Sequence, residues 1–193
     1  MRDGWTQITQ SEYPWEREAL DYLKAGLPDH EPYRAWSNFE FILDGVASEV
    51  DVLVAVPKGL FLVEIKSWPG MLEGDAGTWR VTRPGARNPQ LLDNPDLLAN
   101  RKCRRLTSLL ARQRSFRRER VPFVEPLVFL SHPELDCRLD DAARQGIVGL
   151  DPTAQGERPR LDDASQSTAL PRSTARRSRG SRGRDPGSAT APS

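Results

Sequence analysis

The chain has 193 residues, a formal net charge of +1 and 37% hydrophobic residues, enough for one well-cored domain plus a tail. It has no run of 18 apolar residues and no apolar h-region near its N-terminus, so neither a membrane span nor a secretory leader is expected. Cys103 and Cys137 stand outside any CxxC or other metal-ligand spacing, and His30 and His132 lie near prolines; this argues against zinc and for reduced thiols in a cytoplasmic protein. The near-neutral total hides blocks: residues 101–120 hold nine basic and one acidic side chain, whereas residues 1–100 hold nine basic and 16 acidic ones.

In chain order, residues 1–11 read as an N-terminal extension. Residues 14–26 predict a helix: Pro14 suits the first turn, Leu20, Leu23 and Leu27 recur at helical spacing, and Gly26 and Pro28 end it. Residues 33–43 alternate loosely and predict a strand, closed by the Asp44-Gly45 turn signal. Two apolar runs, 50–56 and 60–65, predict core strands joined through Pro57-Lys58-Gly59. Residues 68–93, rich in Gly and Pro, read as a long loop with one short strand at Trp79 and Val81. Residues 96–114 predict a second helix, opened by Asn94-Pro95, with Leu98, Leu106, Leu109 and Leu110 along its apolar stripe. Residues 123–131 predict the last core strand, with Pro126 suggesting an edge position. From about residue 151 the pattern fades. Residues 167–193 contain a single large apolar residue, Leu170, and are expected to be disordered. Their composition also fits a nucleic-acid-binding tail, a passive tail, or a shifted reading frame after a truncation.

The informative charges lie inside the core runs. Asp51 stands near the start of one strand, and Glu64 and Lys66 stand two residues apart, hence on one face, at the end of the next. A hairpin about Pro57-Lys58-Gly59 brings both carboxylates and the ammonium together at the rim of a buried sheet, where charge needs a partner or a task. The set suits Mg²⁺ and phosphodiester chemistry, because Mg²⁺ is held by one or two carboxylates, waters and substrate phosphate. It equally suits an ion pair, Asp51–Lys66 or Glu64–Lys66, closing a strand end. Neutralising Asp51 or Glu64 is expected to leave stability similar or higher, by relieving repulsion between like charges.

Asp51 followed by Glu64-Ile65-Lys66 resembles the PD-(D/E)xK nuclease signature and, more narrowly, the nuclease-related domain (NERD) family. The strand Gly59-Leu60-Phe61-Leu62-Val63-Glu64-Ile65-Lys66, the later Gly70, Glu16 in the first helix, Trp79 and Asn94-Pro95 fit that family's ordered pattern over roughly residues 12–135. Many members carry Gln three residues after the Pro, where this chain has Leu98. The flanks, residues 27–41 and 94–110, are similar to the N-terminal region of the serine/threonine kinases of phage growth limitation, the type 2 bacteriophage-exclusion systems. No Gly-rich nucleotide loop, HRD-like or DFG-like triplet is present, so kinase activity is not expected of this chain.

The resemblance implies an α/β fold with a restriction-endonuclease-like core (helix, three strands, helix, strand) over residues 12–150, followed by a low-complexity tail, residues 151–193. It implies Asp51, Glu64, Lys66 and Glu16 as catalytic residues. Mg²⁺ or Mn²⁺ would be bound by Asp51, Glu64 and the Ile65 carbonyl. Lys66 would orient or activate the attacking water; Glu16 would act as a further ligand or a base. The basic block supplies Arg101, Lys102, Arg104, Arg105 and Arg112 as candidate phosphate contacts, since counterion release drives nucleic-acid affinity. Few aromatics interleave, which favours DNA held by its backbone. The expected function is therefore a metal-dependent DNA nuclease in phage defence, with DNA and phage-defence proteins as partners. A non-catalytic DNA- or partner-binding module of a defence kinase is the competing reading: the intact Asp51, Glu64 and Lys66 favour the first, and Leu98 and the missing kinase favour the second. A truncated gene product with no activity of its own is a third.

Overall fold

The computed structural model describes residues 4–150; the expected tail, residues 151–193, lies outside them. A six-stranded sheet forms the centre. Its strands are β1 (Trp5–Gln7), β2 (Arg34–Leu43), β3 (Val46–Val56), β4 (Gly59–Lys66), β8 (Val124–Leu130) and β10 (Ile147–Gly149), in the spatial order β1-β2-β3-β4-β8-β10. β2 pairs antiparallel with β3 and β3 with β4, whereas β1 lies parallel to β2, β8 parallel to β4 and β10 parallel to β8. The β2–β3 connection is the expected Asp44-Gly45 pair, both at positive φ (52° and 76°), as tight hairpins demand. Gly59 opens β4 at φ 153°, where any Cβ would stand 2.8 Å from the Phe123 carbonyl oxygen. Only glycine lets β4 and the segment leading into β8 approach so closely.

One helix covers each face of this sheet. Helix α1 (Pro14–Gly26) carries Pro in its first turn and turns Ala19, Leu20 and Leu23 inward, against Val52, Val54, Phe61, Val63, Ile65, Leu127 and Phe129. Helix α2 (Pro95–Ala111) is capped by Asn94, whose side chain accepts from the Asp96 amide at 2.9 Å. It buries Ala99, Cys103 and Leu106 against Phe41, Val50, Leu62 and Val124. β4 therefore reads Phe61, Val63 and Ile65 toward α1, and Leu62 toward α2. Val54, Leu62, Val63, Val128 and Leu130 are buried as a sheet covered on both faces requires, with Leu53 and Leu60 half-buried.

The β2–β3 hairpin does not keep one orientation along its length. Ala35, Val52 and Val54 pack under α1, yet Phe41 and Val50 pack with α2. The register runs Ser37 opposite Val52 and then Phe39 opposite Val50, passing over the Asn38–Asp51 position, and Asn38 has φ 54°. Asn tolerates this left-handed conformation better than most residues. The hairpin thus rolls at Asn38 and Asp51, and β3 leaves β4 there: their pairing covers only Val52–Val56 against Gly59–Val63.

Two expectations require correction. Residues 68–93 are not one long loop. They hold β5 (Gly70–Gly74), β6 (Thr78–Thr82) and β7 (Gln90–Asp93), which join β9 (Leu135–Leu139) in a second sheet ordered β7-β6-β5-β9. Glycines and prolines punctuate these strands rather than dissolve them, and Leu72, Trp79 and Val81 bury against Val128, Leu130, Leu139 and Ala143. Leu98 is also not on the buried stripe of α2; it is exposed, and Ala99 and Cys103 take that face. The residues read as an N-terminal extension supply β1, which pairs with β2.

Candidate active site

The departure of β3 from β4 leaves the Ile65 amide beside the Asp51 side chain, whose Oδ2 accepts from it at 2.7 Å. The carboxylate takes over as acceptor where the strand pairing stops. One residue before Ile65, Glu64 is buried on the opposite face, toward α2, and both of its oxygens are engaged: Lys66 Nζ donates to Oε1 at 2.8 Å and Lys102 Nζ donates to Oε2 at 2.6 Å. The cross-strand neighbours of Glu64 and Lys66 on β8 are Val128 and Leu130, both buried beneath the second sheet. The acidic pair therefore sits at a strand edge between α2 and the second sheet, where charge interactions are stronger than in open water.

The electrostatics follow from that setting. Burial and the neighbouring Glu64 charge push Asp51 up to about 6, against the opposing pull of the Ile65 amide and the two lysines. Burial alone would raise Glu64 as well, but the ammonium groups of Lys66 and Lys102 outweigh it and hold this carboxyl below its ordinary range. The two carboxylates are thus driven apart in acidity: Glu64 is ionised throughout the neutral range, and Asp51 is poised near it. The donor set fits a hard divalent cation in its chemistry, since the buried Glu64 and the half-buried Asp51 are oxygen ligands of like charge that gain from a cation shared between them. Among the described residues no group of three or more His, Cys, Asp or Glu side chains is gathered closely enough to form an all-protein cage. The set is a pair.

Glu16 approaches from α1. Its Oε2 accepts a hydrogen bond from Ser11 Oγ, and the Asn38 amide, oriented to satisfy its neighbours, donates to Glu16 Oε1 at 3.3 Å and to the Asp51 carbonyl at 3.2 Å. Glu16 therefore touches the same kink that presents Asp51, one residue removed from the carboxylate pair; Glu18 is exposed. The five basic candidates separate. Lys102 belongs to the acidic pair. Arg105 ties α2 to the hairpin, donating to the Leu43 carbonyl at 2.9 Å, the Val46 carbonyl at 2.7 Å and Ser48 Oγ at 3.1 Å. Arg112 forms a two-pronged contact with Asp44 at the hairpin tip. Arg101 and Arg104 are exposed on the helix. Sequence reasoning missed Asn38 and Ser11. An Asn inside a run of strand-forming residues was the one available signal, because Asn is depleted in strands.

A model of the nuclease-related domain family matches residues 11–131. A protein described as a probable kinase PglW, from Streptomyces coelicolor (strain ATCC BAA-471 / A3(2) / M145), is 40% identical over 153 residues, which is 78% of this chain and 10% of that protein. The chain thus spans about one tenth of the length of the curated relative it matches. No solved structure matches it.

Proposed function

The chain belongs to the nuclease-related domain family, and from that premise we propose that it hydrolyses phosphodiester bonds in DNA, with Asp51 and Glu64 as metal ligands and Lys66 beside the reacting phosphate. The observation that carries the reading is the shared edge at which β3 leaves β4: the Glu64 charge raises the cost of ionising Asp51 there, and Lys66 stands 2.8 Å from Glu64. Asp51, Glu64 and, by family analogy, the Ile65 carbonyl would hold Mg²⁺ or Mn²⁺. When bound, such an ion lowers the pKa of a coordinated water and neutralises phosphate charge. The Ile65 amide fixes the orientation of Asp51. Lys66 contributes a positive charge to the developing phosphorane and a donor that orients water. Glu16 acts through Asn38 on the backbone of Asp51, which makes it a positioning residue. Of the five basic candidates, Arg101 and Arg104 are exposed on α2 and open to a phosphate backbone, and the similarity to a probable kinase PglW supports a role in phage defence.

A second reading, a module that binds DNA or a partner without cutting, draws on two observations: both oxygens of Glu64 are taken by lysines, and Leu98, at the position where the family resemblance implies a Gln in many members, is exposed. A fluorescently labelled duplex incubated with the protein and Mn²⁺ separates the two. Cleavage that is lost in Lys66→Met, with duplex binding retained, supports the nuclease. Binding without cleavage in the wild type supports the module.

A further inference from the structure

Four ionisable groups meet at the strand edge, and one of them comes from a helix. Lys102 lies on α2, whose inward residues Ala99, Cys103 and Leu106 are locked into the core. Its ammonium is 2.6 Å from Glu64 Oε2; the two side chains are 21% and 8% exposed. Lys66 already serves the other oxygen. A single ammonium would balance the Glu64 charge. The second brings the set of Asp51, Glu64, Lys66 and Lys102 to neutrality when both carboxylates are ionised. Any divalent cation that takes Oε2 as a ligand shares an oxygen that Lys102 already hydrogen-bonds, and it meets an ammonium at contact distance. The helix backbone cannot retreat, but the four-carbon stem of lysine can swing its charge away.

We propose that Lys102 and a divalent cation compete for Glu64 Oε2, so that Lys102 sets the metal affinity of the site and leaves Glu64 when the ion binds. This rests on the metal-dependent reading above. Lys102 is a positioning residue in this account: it acts through Glu64.

Mn²⁺ titrations of the full chain by calorimetry, without DNA, test the competition. Lys102→Met should bind Mn²⁺ about tenfold or more tightly than the wild type, because a contact-distance like charge is removed and Oε2 is freed. Arg101→Met, which removes an exposed charge from the same helix, should stay within about twofold, since exposed charges are screened. Amine acetylation read by mass spectrometry gives a second measurement on the unaltered chain: Lys102 labelling should rise when Mn²⁺ is added and should not respond in Glu64→Gln. Equal or weaker Mn²⁺ binding by Lys102→Met, or Lys102 labelling indifferent to Mn²⁺ in a wild type that binds it, overturns the competition while leaving the metal-dependent reading in place. Failure of both wild type and Lys102→Met to bind Mn²⁺ overturns the two together.

Discussion

Asp51 and Glu64 look alike in the sequence and differ in the structure. Burial and its neighbour raise Asp51, so ionising it disfavours the folded state; its contribution to stability falls as pH rises from 3.8, the ordinary value, through about 6. Asp51→Asn removes that cost and keeps an acceptor for the Ile65 amide. Thermal melts should show it more stable than wild type by about 1–2 kcal/mol at pH 7–8, with the advantage shrinking below pH 6 and gone near pH 4. A variant less stable than wild type at pH 7 would contradict this assignment. Glu64 has the opposite sign: its lowered pKa contributes stability above the ordinary carboxylate range, lost as pH falls through the depressed value. Glu64→Gln strands two lysines beside a neutral amide and should cost about 1–3 kcal/mol. The expectation that neutralising either carboxylate spares stability is thus corrected for Glu64. Strand alternation made Asp51, Glu64 and Lys66 legible as a set. It could not reveal Lys102 as the partner of Glu64, because that contact spans 38 positions and depends on how α2 rotates against the sheet.

Leu62 sits fully buried at the middle of β4, between β3 and β8 and under α2. Leu62→Ala should cost about 2–5 kcal/mol in denaturant unfolding, and a much smaller loss would place β4 outside the core. The basic face of α2 divides in the same kind of measurement. Arg105→Glu breaks three hydrogen bonds that fasten the helix to the hairpin and should destabilise by about 1–3 kcal/mol, whereas Arg104→Glu should leave the unfolding midpoint near the wild-type value. Equal effects would mean that Arg105 is no more anchored than its neighbour. Both helices and the strands β2, β3, β4 and β8 were legible from period, caps and turn residues. β6 was legible at Trp79 and Val81, but β5 and β7 were not, because strands of four or five residues between glycines and prolines carry too few alternations to stand out. β5 finds its second partner only in β9, with Gly70 opposite Leu135, 65 positions onward. The place of Leu98 was misread for a related reason: the Leu-rich stripe suggests one inward face, but the tight approach of α2 to β4 and β8 selects the small residues Ala99 and Cys103.

At the scale of the molecule, the two-helix, two-sheet body puts the carboxylate pair on one strand edge and the exposed Arg101 and Arg104 on the helix that walls it. If those arginines hold a DNA backbone, affinity for any duplex should fall as salt rises. Arg101→Glu with Arg104→Glu should then reduce the log–log salt slope by about 2, alike for every sequence. A slope unchanged by the double reversal removes α2 from the interface. Fold and charge placement together lead to one claim, that Asp51, Glu64 and Lys66 make a metal-dependent phosphodiesterase centre. Supercoiled plasmid incubated with Mg²⁺, with Mn²⁺ or with EDTA, using wild type and Glu64→Gln prepared side by side, tests it most directly. The account predicts nicked or linear plasmid from the wild type with either metal, and none with EDTA or from Glu64→Gln. Plasmid that stays supercoiled with wild type in both metals, or cutting that persists in Glu64→Gln, would contradict it.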